Sequence, residues 1–179
     1  PEWFPIDRIC LAINRVLPPD LRVKGAREMP DSFHARYSAK ARTYVYVVLN
    51  RDAPSALLAR YVWHLSRPLD LEKMVASAGE LIGTHDFASF GMPDRIGAST
   101  VRQVFEIKIK RRRGAVFLVI RANAFLRGMA RAIAGTLVDV GRGGIDPGDV
   151  AGILSSKDRD AVRVTAPPRG LYLVRVEYY

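Results

Sequence analysis

Several chemistries are scarce or missing in this chain, and each absence narrows what it does. Cysteine occurs once, at Cys10, so no internal disulfide forms. Histidine occurs three times, at His34, His64 and His85, without the clustering that ligates zinc, and no structural metal is expected. No apolar run approaches the roughly 20 residues needed to span a bilayer, and no signal-peptide pattern opens the chain. A cytoplasmic protein that spans no membrane is therefore expected. Neither a phosphate-binding Walker loop nor a dinucleotide fingerprint occurs. His85-Asp86 looks like part of a catalytic pair, but no serine or cysteine nucleophile is placed beside it, and it is assigned no catalytic role.

Negative charge is also in short supply. Asp and Glu number 18 against 28 Lys and Arg in 179 residues, a net charge of +10. That balance favours a polyanionic partner, nucleic acid or an anionic membrane surface. The chain is 49% apolar, enough for one domain with a sizeable core, or one domain with part of another. Two segments set arginine beside aromatic or very small side chains: 33–46, with Arg36, Lys40, Arg42, Tyr44 and Tyr46, and 122–135, with Phe125, Arg127, Gly128, Arg131 and Gly135. Arginine beside an aromatic ring suits a phosphate backbone and an unstacked base, which points to RNA.

The apolar spacing predicts an amphipathic helix over 5–17, stopped by Pro18-Pro19, then a short strand over 21–26. A tyrosine- and valine-rich strand is predicted over 42–49. A helix is predicted over 71–82, with Asp70 as N-cap and Gly83 as its stop. After a loop, Val101, Phe105, Ile107 and Ile109 alternate with charged residues, predicting a strand with one buried face. Arg112-Arg113-Gly114 turns it into a second strand over 115–122. Asn123 is read as the cap of the longest helix, 124–140, ended by Gly141, Gly143 and Gly144. A short helix over 147–154 and a strand over 171–178 complete an α+β fold, a largely antiparallel sheet with helices packed on one face. There is no internal repeat or low-complexity linker.

On a helix over 124–140, Ala124, Gly128, Arg131 and Gly135 share one face, so Arg131 sits in a stripe of tiny side chains. Such a stripe admits a substrate or another backbone closely while a fixed guanidinium points into the gap. Close structural packing with Arg131 at its rim is the competing reading. Arg127 is read as a solvated or phosphate-contacting charge. Tyr44 and Tyr46 share a strand face, where a ring can stack on an extruded base or serve the core; Tyr46 is assigned to the core and Tyr44 left open. The basic run Lys108, Lys110, Arg111, Arg112 and Arg113 lies at a hairpin tip, within reach of phosphates or simply solvated.

Phe33-His34-Ala35-Arg36, Ala41-Arg42-Thr43-Tyr44, Gly83-Thr84-His85-Asp86-Phe87 with Ser89-Phe90, Ala122-Asn123-Ala124-Phe125-Leu126, Met129-Ala130-Arg131 and Gly170-Leu171-Tyr172-Leu173 occur in this order. In them the chain resembles the tRNA pseudouridine synthases of the TruA type. The resemblance implies a cofactor-free homodimer that isomerises uridine to pseudouridine in the anticodon stem-loop of tRNA. The target base is flipped out, its glycosidic bond broken, and the base rejoined through carbon. It implies that Tyr44 contacts the target base and that Arg131 pairs with the catalytic aspartate. Arg36, Lys40, Arg42 and Arg127 become candidate RNA contacts.

The family's nucleophile lies in a Gly-Arg-Thr-Asp-Ala-Gly-Val motif that these 179 residues lack. By the family's order it belongs upstream of Pro1, and the chain's opening on Pro1 without methionine is read as a cut. The expectation is then a tail of the N-terminal domain over 1–30 and a C-terminal domain over 31–179, inactive without the aspartate. Asp86, Asp139, Asp149 and Asp158 lack the motif's context. Gly128 stands where the family usually has a bulkier residue. The competing functional reading is a non-catalytic RNA-binding module on the same scaffold; a basic structural protein, such as a ribosomal component, explains the charge alone.

Overall fold

The computed structural model describes residues 5–179, which divide into two compact units, the first ending at Ser38 and the second running from Ala39 to Tyr179. Pro1–Phe4, at the start of the expected 1–30 tail, lie outside the described residues.

In the first unit the amphipathic helix forms as expected, α1 at Ile6–Val16. The strand expected over 21–26 does not. The Asn14 side chain takes both ladder groups of Val23, accepting from its N–H at 2.8 Å and donating to its carbonyl at 2.8 Å. A backbone satisfied by a helix side chain has no remaining need of a sheet neighbour there.

The second unit is built on a six-stranded sheet. Its strands are β1 (Ala41–Asn50), β2 (Trp63–Leu65), β3 (Gly83–Asp86), β4 (Val101–Arg112), β5 (Ala115–Ala122) and β6 (Leu171–Glu177), in the order β2-β1-β5-β4-β3, with β6 also on β1. All pairings are antiparallel except β1 with β2. Three helices accompany it: α2 (Leu71–Gly79), α3 (Met129–Gly141) and α4 (Asp149–Ser156). Strict alternation in β5 buries Val116, Leu118, Ile120 and Ala122. With Tyr46 and Val48 of β1 they form one core with Met74 and Ala78 of α2, Ile133 and Leu137 of α3, and Val150 of α4. The fold is thus the expected α+β arrangement, helices packed against one sheet face.

Four local departures have identifiable causes. Strands β2 and β3 are too short, at three and four residues, to carry a readable period. Helix α2 is capped by Asp70 as expected, its side chain accepting from Lys73 N–H at 3.1 Å. It stops at Gly79, because residues 80–82 bond three positions back and tighten the last turn; Gly83, at φ +120°, opens β3. In β4 the register slips between Val104 and Glu106. That bulge turns Phe105 outward, 36% exposed, with the Arg121 guanidinium 4.8 Å over its ring, while Val104 and Ile107 take the core.

The fourth departure matters most. Helix α3 starts at Met129, not Ala124. Arg127 and Met92 exchange backbone hydrogen bonds of 2.9 and 3.2 Å, and Gly128 adopts φ +85°, outside helical space. Asn123 caps a bend instead: its Oδ1 accepts from the N–H groups of Gln103 (3.0 Å) and Ala124 (2.7 Å). Ala124 and Gly128 therefore leave the helical stripe, and Arg131 and Gly135 remain in it.

Candidate active site

Tyr44 lies on the helix-facing side of β1 and Arg131 in the first turn of α3, and both line one cavity of about 130 Å³. Phe125, Leu126, Gly128 and Leu171 complete most of its wall. The Phe125 ring meets Tyr44 edge-on, centroids 4.8 Å apart at 77°. This T-shaped contact fixes the tyrosine ring without using its hydroxyl. Among the described residues the Tyr44 hydroxyl has no hydrogen-bond partner.

Arg131 is held by one nitrogen only. Its Nε donates to the Ala166 carbonyl at 2.6 Å, and the Ala166 N–H donates back to the Arg131 carbonyl at 3.1 Å. The segment carrying Ala166 crosses α3 at Gly135, where any side chain would run into the carbonyl of Val164. The small-residue stripe therefore admits a backbone, as the packing reading holds, and that backbone clamps the guanidinium, as the functional reading needs. The two terminal nitrogens of Arg131 carry no hydrogen bond or ion pair among the described residues. They form a fork matched to a carboxylate or phosphate.

Tyr46, fully buried, supports this arrangement from below. Its hydroxyl donates toward the carbonyls of Pro167 (2.8 Å) and Arg169 (3.0 Å), holding the segment that leads into β6. Burial pushes its phenol far above the ordinary range, and the nearby charges of Arg131 and Arg169 draw it back in part. The core assignment for Tyr46 holds.

The other basic candidates are dispersed. Arg42 donates from Nη1 to the Asn123 carbonyl at 2.9 Å, bracing the bend that carries Phe125. Lys40 is exposed at the head of β1, its N–H bonded to Glu177 carbonyl. Arg127 is exposed, with Nη2 3.8 Å from Met92 Sδ, and does not line the cavity. Arg36, exposed in the first unit, has its guanidinium 5.7 Å over the Tyr37 ring. At the hairpin tip, Arg111 is structural, donating to Asn50 Oδ1 and Leu69 carbonyl at 3.1 Å each. Arg112 and Arg113 stay exposed. Sequence reasoning gave no role to Phe125, Leu171 or Ala166; the first two sit in quoted motifs, and nothing in the local pattern marks the third.

Comparison with known proteins bears on this geometry. The family model described as tRNA pseudouridine synthase matches residues 77–179. A curated tRNA pseudouridine synthase A from Thermoanaerobacter sp. (strain X514) is 44% identical over 175 residues, covering 98% of this chain and 72% of the relative. The chain belongs to the tRNA pseudouridine synthase family. The relative of the same name from Caldicellulosiruptor bescii is 42% identical over the same shares, and that from Syntrophotalea carbinolica 39% over 178 residues, 99% of this chain and 71% of the relative. In this family member the matched region contains the clamp at Arg131 and Ala166, but Tyr44 lies ahead of it. Tyr44 falls within the span matched by the longer comparison with the Thermoanaerobacter relative.

Proposed function

We propose that this chain forms the base-contacting and RNA-binding wall of an isomerase that converts uridine to pseudouridine in the anticodon stem-loop of tRNA. One observation carries the reading: a half-buried tyrosine with its hydroxyl unengaged shares a small cavity with an arginine held by one nitrogen. A cavity of about 130 Å³ lies below the roughly 300 Å³ of ordinary ligand sites, which suits one flipped base more than a whole nucleotide. Tyr44 contacts that base. Arg131 keeps the catalytic aspartate ionised and oriented through its terminal nitrogens.

The aspartate motif is absent from these 179 residues, so they supply the wall of the site and not its nucleophile. The domain division falls at 30/31, the first part belonging to the domain that carries the aspartate. Arg36, Lys40, Arg42 and Arg127 meet tRNA phosphates, and the enzyme works as a cytoplasmic homodimer without a cofactor. A chimera tests the reading: this chain replaces the matched part of the Thermoanaerobacter relative, and pseudouridine in tRNA is read by tritium release from C5-labelled uridine. Turnover that disappears in Tyr44→Phe and Arg131→Ala supports the proposal. A folded chimera that binds tRNA without isomerising it supports the RNA-binding module instead.

A further inference from the structure

A second cavity, of about 660 Å³, opens near the C-terminal end of α3, lined by His64, Arg67, Arg142, Gly143 and Gly144 among others. Arg142 follows Arg131 by eleven residues, about 16 Å along a helix at 1.5 Å per residue, so this is a separate place from the base cavity. No carboxylate lines it; Asp139 packs against Gly144 but is not part of the wall.

Its walls are built rather than loose. The buried Asn50 side chain donates to the carbonyls of Leu65 (3.0 Å) and Arg67 (2.6 Å) and accepts from Leu69 N–H at 3.1 Å. Arg111 adds its bonds to Asn50 and Leu69, and Asp70 N–H donates to the Gly141 carbonyl at 2.9 Å, tying the 65–70 loop to the end of α3. Backbones are thus fixed while the cations they carry are unspent. Arg67 makes no side-chain hydrogen bond or ion pair among the described residues. Among the described residues Arg142 makes no side-chain hydrogen bond or ion pair and lies with its guanidinium carbon 5.6 Å from the Trp63 ring. His64 is oriented by a 2.8 Å bond between Nε2 and the Arg51 carbonyl. The C-terminus of α3 contributes roughly half a negative charge against two guanidinium charges, so the cavity stays cationic.

We propose that this cavity is a phosphodiester site for RNA, with Arg67 and Arg142 as the anchoring pair, gripping the strand several nucleotides from the flipped base. The inference rests on the RNA substrate read above and adds a contact that no sequence motif marks. An arginine pair on rigid backbone loses little entropy on meeting a phosphate, and each contact releases counterions.

The test is tRNA binding by the 179-residue chain, measured by fluorescence anisotropy across a salt series. Arg67→Ala with Arg142→Ala is expected to weaken binding roughly tenfold near 0.1 M salt and to flatten the log–log salt slope by about 0.7–0.9 for each lost contact. The lysine pair R67K/R142K keeps most of the slope. Arg67→Ala alone removes no internal contact and gives the half-sized effect even if loss of the Trp63 contact destabilises the double variant. Arg8→Ala with Arg15→Ala removes the same charge from α1. An unchanged slope in R67A/R142A, or an equal flattening in R8A/R15A, overturns the site while tRNA binding by the parent chain persists. Absence of tRNA binding by the parent chain overturns the RNA reading itself, and this site with it.

Discussion

Arg131 and Ala166 hold each other twice, side chain to carbonyl at 2.6 Å and amide to carbonyl at 3.1 Å. This pair of hydrogen bonds joins the first turn of α3 to the segment that becomes β6, so the guanidinium inherits the rigidity of two elements. A lysine reproduces the charge but neither the Nε donor nor the fork.

Arg131→Lys is therefore expected to lose most turnover in the chimeric enzyme while costing only about 1 kcal/mol of stability. Turnover by tritium release, set beside a urea unfolding curve of the chain, separates the two effects. Wild-type-like turnover would remove Arg131 from the site.

Gly135 and Gly128 should respond to alanine for different reasons. At Gly135 a Cβ meets the Val164 carbonyl, and Gly135→Ala is expected to cost about 1–3 kcal/mol through forced displacement of that segment. At Gly128 the space is open, its nearest neighbour being Arg159 Nη2 at 3.8 Å, but φ is +85°. Gly128→Ala should cost about 1–2 kcal/mol from backbone strain alone. Chemical denaturation midpoints check both, and Gly135→Ala alone should also lower turnover, by moving Ala166 off Arg131.

Tyr46→Phe removes the donor to Pro167 and Arg169 carbonyls in a dry setting, an expected loss of about 1–2 kcal/mol. It also changes the alkaline limb. The folded phenol titrates above its ordinary value of 10.0 because burial disfavours the phenolate. Its contribution is thus complete below pH 10 and declines as pH rises further, when only the unfolded chain gives up the proton. Melting temperatures between pH 8 and 11 should fall less steeply in Tyr46→Phe than in the parent.

Asp86 governs the acid side with the opposite sign. Its Oδ1 accepts from Thr100 Oγ1 at 2.5 Å and Ala88 N–H at 3.1 Å, and its Oδ2 pairs with Lys157 Nζ at 3.2 Å. The Thr100 bond leads in holding the carboxyl below its ordinary value of 3.8, ahead of Lys157 and the Ala88 amide, while burial works against them. The stabilisation is present above about pH 4 and is lost as pH falls through the folded value. Asp86→Asn should lower the melting temperature at pH 7 and lessen its dependence on pH between 2 and 5.

The regular elements were legible because their signals are periodic and long. Helix α2 announced its start at Asp70, β5 its buried face, and the motif around Tyr44 and Arg131 both candidate residues. The strand at 21–26 was misread because Asn14, seven positions before Leu21, takes the groups of Val23 that a strand would pair. Phe105 was put on the wrong face because a bulge changes the period at one residue, and nothing in the alternation of β4 records it.

Composition, apolar periodicity and motif order, all properties of the chain read in one dimension, pointed to a polyanionic partner and determined the α+β class and the family. The long-range contacts decided the rest. Where α3 begins depends on Met92 reaching Arg127, thirty-five residues away, and on the left-handed Gly128. What holds Arg131 depends on Ala166, equally distant, crossing at a glycine. Hydrogen bonds between segments so far apart form only when the sheet and helices have already set their positions, so no local pattern encodes them.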